Sequence, residues 1–260
     1  MSSYIGRHAE LYDLFYSDKP YAEETEFVHQ CINRYGLTNT HRLLELACGT
    51  GVHAFALEKL GYKIVATDYS EDMLLCARKK AAQISSSIDF RCQDMRSVKL
   101  SDEPFDAVIC LFDSIGYVQT NEALEQVLQT VRNLLQPEGV FIFEFWHAGA
   151  MLRYYEPVRI RRWATTDGEI LRISETKLEY SRQLANVNYS VYEHRNDGTY
   201  VGFQETQVNR YFLLQEIAAF LSSTGFRLLK SFSGFTENEN ITDQTWHVVV
   251  VAKKTKEFSA

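Results

Sequence analysis

The stretch LLELACGTGVHAFAL, Leu43 to Leu57, limits what this chain can become more than any other. Leu43, Leu44 and Leu46 form a short apolar run that predicts a buried strand. Cys48-Gly49-Thr50-Gly51 is a tight glycine turn, and Val52 to Leu60 reads as a helix. A strand, a glycine turn and a helix N-terminus bring backbone close to a ligand and aim free N–H groups at it. The spacing Gly49-x-Gly51-x-x-Ala54 also satisfies the dinucleotide fingerprint, which keeps a nucleotide-dependent oxidoreductase open. Glu45 weighs against it. A pyrophosphate gains nothing from an acid in that strand, whereas a cationic amino-acid ligand is attracted to it.

Further along, Tyr62 to Thr67 reads as a second strand ending at Asp68, 19 residues after Gly49. An acid at that interval meets ribose hydroxyls, because one carboxylate accepts both hydrogens of a diol. Ser70 is placed to cap a helix in which Met73, Leu74 and Ala77 face inward. Ile88 to Cys92 is a third strand, and Asp94 and Met95 just past it suit an adenine amino group and ring. Phe105 to Phe112 is apolar almost throughout, as in a strand covered on both faces. Thr120 to Gln136 is an amphipathic helix, and Pro137-Glu138-Gly139 leads into a fifth strand, Val140 to Phe145. This alternation predicts an α/β fold with a parallel sheet and right-handed crossovers.

From about Glu156 to Phe212 the pattern changes to β-rich runs broken at Asp167-Gly168, Ser181-Arg182-Gln183 and Asp197-Gly198. Such turns join antiparallel strands. Leu213 to Thr224 returns to helix, and Phe226 to Phe235 and Thr245 to Lys253 are the last strands. At the other end, Tyr4, Tyr12 and Tyr16 make an aromatic arm, and Tyr21 to Tyr35 reads as a helix stopped by Gly36. The expected division is an arm and helix over 1–36, a core over 37–150 and 213–260, and an inserted antiparallel subdomain over 151–212.

Composition narrows the function classes. A formal net charge of −7 and the lack of a long Lys/Arg tract argue against a nucleic-acid substrate. No run approaches transmembrane length, and the N-terminal residues lack a signal-peptide pattern. Five scattered cysteines read as reduced thiols in a cytoplasmic protein without a metal site.

The motifs, taken together, resemble class I S-adenosylmethionine-dependent methyltransferases: Glu45-Leu-Ala-Cys-Gly-Thr-Gly is similar to that family's first motif. The resemblance implies a Rossmann-like, mostly parallel seven-stranded sheet of order 3-2-1-4-5-7-6, its last two strands forming a hairpin. AELYDLFY, Tyr21, TDYSEDML, QDMR and CLFDSIGY further resemble, in that order, the N,N-dimethyltransferases of nucleotide-linked amino sugars. Those enzymes also carry a strand-rich insert after the fifth strand.

By this resemblance Tyr12 and Tyr21 hold the amino-acid end of S-adenosylmethionine, with the backbone of Ala47 and Gly49 along it. Asp68 binds ribose, Asp94 and Met95 take adenine, and Leu111 and Phe112 line the sulfonium. Glu45, Gly51, Tyr69 and Met73 complete the expected cofactor set, and S-adenosylhomocysteine is the expected product. Tyr4 reaches the acceptor. The sugar enzymes place a histidine after Ser-Ile-Gly, where this chain has Tyr117, and a small hydroxyl residue where it has Asp113.

Methyl transfer from a sulfonium is an in-line displacement that the protein assists mainly by alignment. An amine acceptor needs only to be neutral, whereas a hydroxyl needs a general base. Tyr117, His147 and Asp113 are the catalytic candidates, with Glu144 beside them at the carboxyl edge of the sheet. Tyr117 suits orientation or cation–π contact with an amine, and His147 titrates near neutrality. Tyr4, Tyr117, Trp146 and Arg153 are placed on the acceptor side. Arg153, with Arg159, Arg161 and Arg162, offers guanidinium forks to a diphosphate, or else forms a solvated face or a subunit rim. The expected function is methylation of a polar small molecule, an amino-sugar amine first, with oxygen or carbon acceptors as alternatives. The inserted sheet is the expected surface for a homodimer.

Overall fold

The computed structural model describes residues 4–100 and 103–256; the extreme ends of the predicted arm and core, and residues 101 and 102, lie outside the described residues. In chain order the elements begin with α1 (Arg7–Phe15), α2 (Tyr21–Tyr35), β1 (Arg42–Leu46), α3 (Val52–Lys59) and β2 (Lys63–Asp68). They continue with α4 (Glu71–Ile84), β3 (Asp89–Cys92), β4 (Phe105–Cys110), α5 (Asn121–Leu134), β5 (Leu135–Trp146) and α6 (Ala148–Tyr154). The insert supplies β6 (Val158–Thr165), β7 (Gly168–Glu179), β8 (Leu184–Arg195) and β9 (Tyr200–Arg210). Then come α7 (Leu214–Ser223), β10 (Phe226–Ser233) and β11 (His247–Lys254).

Seven strands form one sheet in the order β3-β2-β1-β4-β5-β11-β10. The first five run parallel, and β11 lies antiparallel to both β5 and β10. This is the expected order, with β10 and β11 as the closing hairpin. The sheet is covered on both faces because its strands are apolar on both. Leu43 of β1 packs with Val28 and Ile32 of α2 and Leu57 of α3. Its neighbours Leu44 and Leu46 point the other way, towards Leu124, Val127 and Leu128 of α5 and Leu221 of α7. All of these side chains are fully buried or nearly so, each worth roughly 1.5–3 kcal/mol of transfer free energy.

Local signals set the element ends. The Ser70 hydroxyl accepts the Met73 N–H at 3.3 Å and starts α4. Thr120 caps α5 in the same way through the Ala123 N–H. Gly51, at φ 79°, stands at the head of α3, where a Cβ would come within 3.0 Å of the Phe90 ring. The fifth strand begins earlier than predicted, at Leu135. A register shift between Phe105 and Ala107 on β4 absorbs the Pro137-Glu138-Gly139 excursion and lets pairing start before it. The fourth strand ends earlier, at Cys110, because Phe112 and Asp113 both turn into the left-handed region at φ 59° and 54°.

The insert forms a separate antiparallel sheet of order β6-β7-β8-β9. Its entry and exit are stitched together where the Ala148 N–H donates to Phe212 O at 2.8 Å and the Phe212 N–H to Trp146 O at 2.9 Å. Helix α1 lies against its inner face, with Leu11 and Phe15 packed on Ile170 and Val191. Arg172 of β7 is buried within this contact, its guanidinium 4.7 Å from the Phe15 ring centre and 5.1 Å from those of Trp163 and Tyr189. The arm therefore bridges the insert and helix α4, where Ala9 and Tyr12 pack with Met73.

Candidate active site

Two adjoining hollows open at the carboxyl ends of β1, β2 and β4. The larger, of about 530 Å³, is walled by Tyr12, Ala47, Gly49, Asp68, Tyr69 and Met73, and at its far end by Asp94 and Met95. The smaller, of about 30 Å³, lies under Tyr12 and is bounded by Tyr21, Glu45, Leu111 and Phe112. The structure thus brings together every expected cofactor residue except Gly51. That glycine is spent on packing against Phe90 and Phe55.

Asp68 is tied directly to the turn. Its Oδ2 accepts the Gly49 N–H at 2.8 Å and its Oδ1 the Ser70 N–H at 2.7 Å. Burial raises its pKa, while these amides pull the other way. Asp94 is held by the Arg96 guanidinium, which keeps its carboxyl below the usual range. Glu45 is 2% exposed and is pushed up to about 8, first by burial and then by the charge of Asp68. Its Oε2 has no hydrogen-bond partner among the described residues.

On the side expected to face the acceptor, Tyr4 and Tyr117 meet edge to face, their ring centres 5.9 Å apart and their hydroxyls in direct hydrogen-bond contact. The Tyr4 hydroxyl donates to Gln207 Oε1 at 3.0 Å. Gln207 is fixed in turn, its Nε2 donating to Glu205 Oε1 at 2.9 Å. Glu205 also accepts the Tyr4 N–H at 3.0 Å and approaches His8 Nδ1 at 3.1 Å. Burial raises the pKa of both phenols. Strand β9 thus delivers Glu205 and Gln207 to the arm, and Thr206 and Val208 to the cavity wall. Sequence reasoning missed all four. The polar alternation Glu205-x-Gln207-x-Asn209 was the available sign, since buried polar side chains at period two mark a strand face with polar work to do.

Four of the predicted residues lie elsewhere. Asp113 does not face the cavity; its carboxylate is buried against His247 Nδ1, 2.9 Å away. Trp146 packs with Ala148, Met151 and Tyr211 at the base of the insert. His147 precedes α6 and is buried beside Gly149, and burial lowers its pKa. Arg153 is exposed on α6 and is ion-paired with Asp243. For Trp146, His147 and Arg153 the cause is α6 itself. This short helix follows β5 at once and turns the chain away from the cavity.

S-adenosylmethionine fits this residue set. The orphaned, buried Oε2 of Glu45 matches an ammonium group, and Asp68 retains acceptor capacity for a diol beyond its two amide bonds. A side chain at Gly49 would press on Met73 at 3.2 Å, so that position is kept clear.

This fold and site define an S-adenosylmethionine-dependent methyltransferase of class I. A family model described as a methyltransferase domain matches residues 43–139. The protein YqeM of Bacillus subtilis (strain 168), which carries a methyltransferase name, is 30% identical over 89% of this chain and 90% of its own length. A dTDP-3-amino-3,4,6-trideoxy-alpha-D-glucopyranose N,N-dimethyltransferase of Streptomyces venezuelae is 35% identical over 54% of this chain and 57% of its own. The crystal structure of an S-adenosylmethionine-dependent methyltransferase from Clostridium acetobutylicum ATCC 824 superposes with a TM-score of 0.81 at 22% identity, over 95% of this chain and 97% of that one. The chain belongs to the S-adenosylmethionine-dependent methyltransferases, and the nicotinamide alternative falls. No helix among the described residues is long and apolar enough to cross a membrane.

Proposed function

We propose that this enzyme methylates the nitrogen of a polar small-molecule amine, an amino sugar in free or nucleotide-linked form being the first candidate. The activity for which the Streptomyces relative is named supports the acceptor class. The observation that carries the choice of nitrogen is the Tyr4–Tyr117–Gln207 cluster. With the Tyr4 hydroxyl donating its hydrogen bond to Gln207 Oε1 and the Tyr117 hydroxyl donating to the Tyr4 oxygen, a lone pair on the Tyr117 oxygen is left for an acceptor N–H. The relay ends on an amide, which cannot take up a proton. Both phenols stay protonated at neutral pH, and Asp113 is committed to His247. Such a site orients a neutral amine and offers no base to a hydroxyl.

In this reading Glu45 and Tyr21 receive the ammonium end of the cofactor, with Tyr12 above it. Asp68 takes the ribose hydroxyls, Asp94 and Met95 the adenine, and Leu111 and Phe112 flank the sulfur. The bound cofactor supplies an electrophilic methyl group. The chain's own part is to align the acceptor and exclude water, which can be worth on the order of 7–11 kcal/mol. Incubation with S-adenosylmethionine and paired amino and hydroxy sugars, followed by mass spectrometry, tests the reading. Methyl groups on nitrogen alone are expected, and transfer to the hydroxy sugars at an equal rate would overturn it.

A further inference from the structure

Beneath Phe112 lies a cluster that the transfer reaction does not touch. Asp113, from the left-handed turn after β4, Glu144 near the end of β5 and His247 at the start of β11 bring one ligand atom each to within 4.8 Å of one another. His247 Nδ1 is 3.0 Å from Asp113 Oδ1, 2.9 Å from Oδ2 and 3.7 Å from Glu144 Oε2. Both acids are buried, Asp113 at 3% and Glu144 at 1% exposure. Glu144 Oε1 accepts the Phe112 N–H, and Asn209 Nδ2 donates to Asp113 O at 3.1 Å. Phe112 and Asp113 are non-glycine residues at φ 59° and 54°. Such conformers are unfavourable for residues with a Cβ and persist only where surroundings impose them.

We infer that His247 is a positioning residue for the cofactor site. As an imidazolium it binds Asp113 and Glu144 together, fixes the Phe112–Asp113 turn, and so holds the Phe112 ring as a wall of the cofactor chamber. The link is direct: the acids His247 joins are the acids that hold this turn, and Phe112 lines both hollows. The charged groups that act on the cluster from neighbouring elements are Lys19, ahead of α2, and Glu24 on α2. Lys19 lies 4.6 Å from the Phe112 ring centre and is ion-paired with Glu24. Partial desolvation and Lys19 lower the His247 pKa, but Asp113 and Glu144 outweigh them and raise it to about 9, consistent with a cationic ring. The mechanism places a titratable residue of the last strand in control of a wall it does not line.

The test is calorimetric binding of S-adenosylhomocysteine to wild type, His247→Gln and His247→Arg between pH 7.5 and 10.5. It needs no acceptor and rests only on Phe112 bounding the cofactor chamber. Wild type should bind about tenfold more tightly than H247Q at pH 7.5, an RT ln 10 difference. That ratio should fall towards one above pH 9.5, where the wild-type ring is neutral; using a ratio cancels the ligand's own titration. H247R, which keeps its charge, should retain the advantage throughout. If H247R is misfolded by melting or circular dichroism, Asp113→Asn replaces it, and the D113N/H247Q double variant should lose no more than either single change. Equal affinity of wild type and H247Q at pH 7.5, or an unchanged ratio at pH 10, would overturn the inference. So would stabilisation of wild type, but not D113N, by Mn²⁺ or Zn²⁺, which would make the cluster a metal centre. Tight wild-type binding with no effect of His247 refutes the positioning role alone; absence of wild-type binding refutes the cofactor-site assignment instead.

Discussion

The Gly49 amide donates to the Asp68 carboxylate at 2.8 Å, joining the glycine turn to the end of the neighbouring strand. The acid proposed to meet ribose also braces the loop proposed to meet the amino-acid end. On the proposed reading Asp68 therefore acts on the cofactor twice, by contact and by shaping the turn.

Asp68→Ala should cost more than one hydrogen bond. Bonds to charged groups contribute roughly 1.5–3 kcal/mol each, so S-adenosylhomocysteine affinity should fall by about a hundredfold or more. Asp68→Asn, which keeps one acceptor for the turn, should lose less. Calorimetry on the two variants checks the order, and equal losses would mean that the brace is idle.

Glu45 predicts a pH signature. Its folded-state pKa lies near 8, above the ordinary 4.5, so the folded chain favours the protonated acid. The stability this contributes is complete below the unfolded pKa and is lost as pH rises through about 8. Melting temperature should fall less between pH 6 and 9 in Glu45→Gln than in wild type. Binding a cationic amino-acid group should expel that proton. Calorimetry in buffers of different ionisation enthalpy should show proton release with S-adenosylhomocysteine at pH 7, and none with E45Q.

Tyr117→Phe removes the hydroxyl from the Tyr4–Gln207 relay while leaving the ring. Affinity for S-adenosylhomocysteine should be unchanged, whereas turnover with an amine acceptor should drop about a hundredfold, the usual cost of misplacing a reacting group by an ångström. Loss of cofactor binding in this variant would move Tyr117 from the acceptor side to the cofactor side.

Gly116→Ala tests the seam between the insert and the main sheet. Its Cβ would stand 1.8 Å from Asn209 Oδ1 and 2.6 Å from Arg210 O. Overpacking of this kind costs typically 1–3 kcal/mol, read as a lowered urea midpoint at constant slope. A variant as stable as wild type would show that β9 yields freely there.

The sheet and the cofactor end were legible because their signals are local. Leu43 to Gly51 declares strand and turn within a few residues, and Asp68 follows at the interval set by one helix and one strand. What escaped depends on contacts between distant parts of the chain. Nothing near Phe112 and Asp113 announces a left-handed pair; its side-chain partners, Glu144 and His247, come from strands read separately. Helix α6 was hidden by its seven residues and by Gly149, a poor helix former, and with it the displacement of Trp146, His147 and Arg153. Gln207 meets Tyr4 across 203 positions, beyond the reach of any periodicity.

Tyr4, Glu205 and Gln207 all fall outside residues 43–139, the span shared with the family model. Tyr117 falls inside that span and Tyr12 and Tyr21 outside it, so the proposed cofactor and acceptor sites both combine the central span with strips of chain that reach it only after folding. On the proposed reading, substitutions at Glu205 or Gln207 can change what is carried while leaving the central span intact, so kinship across that span foretells the methyl donor far better than its recipient.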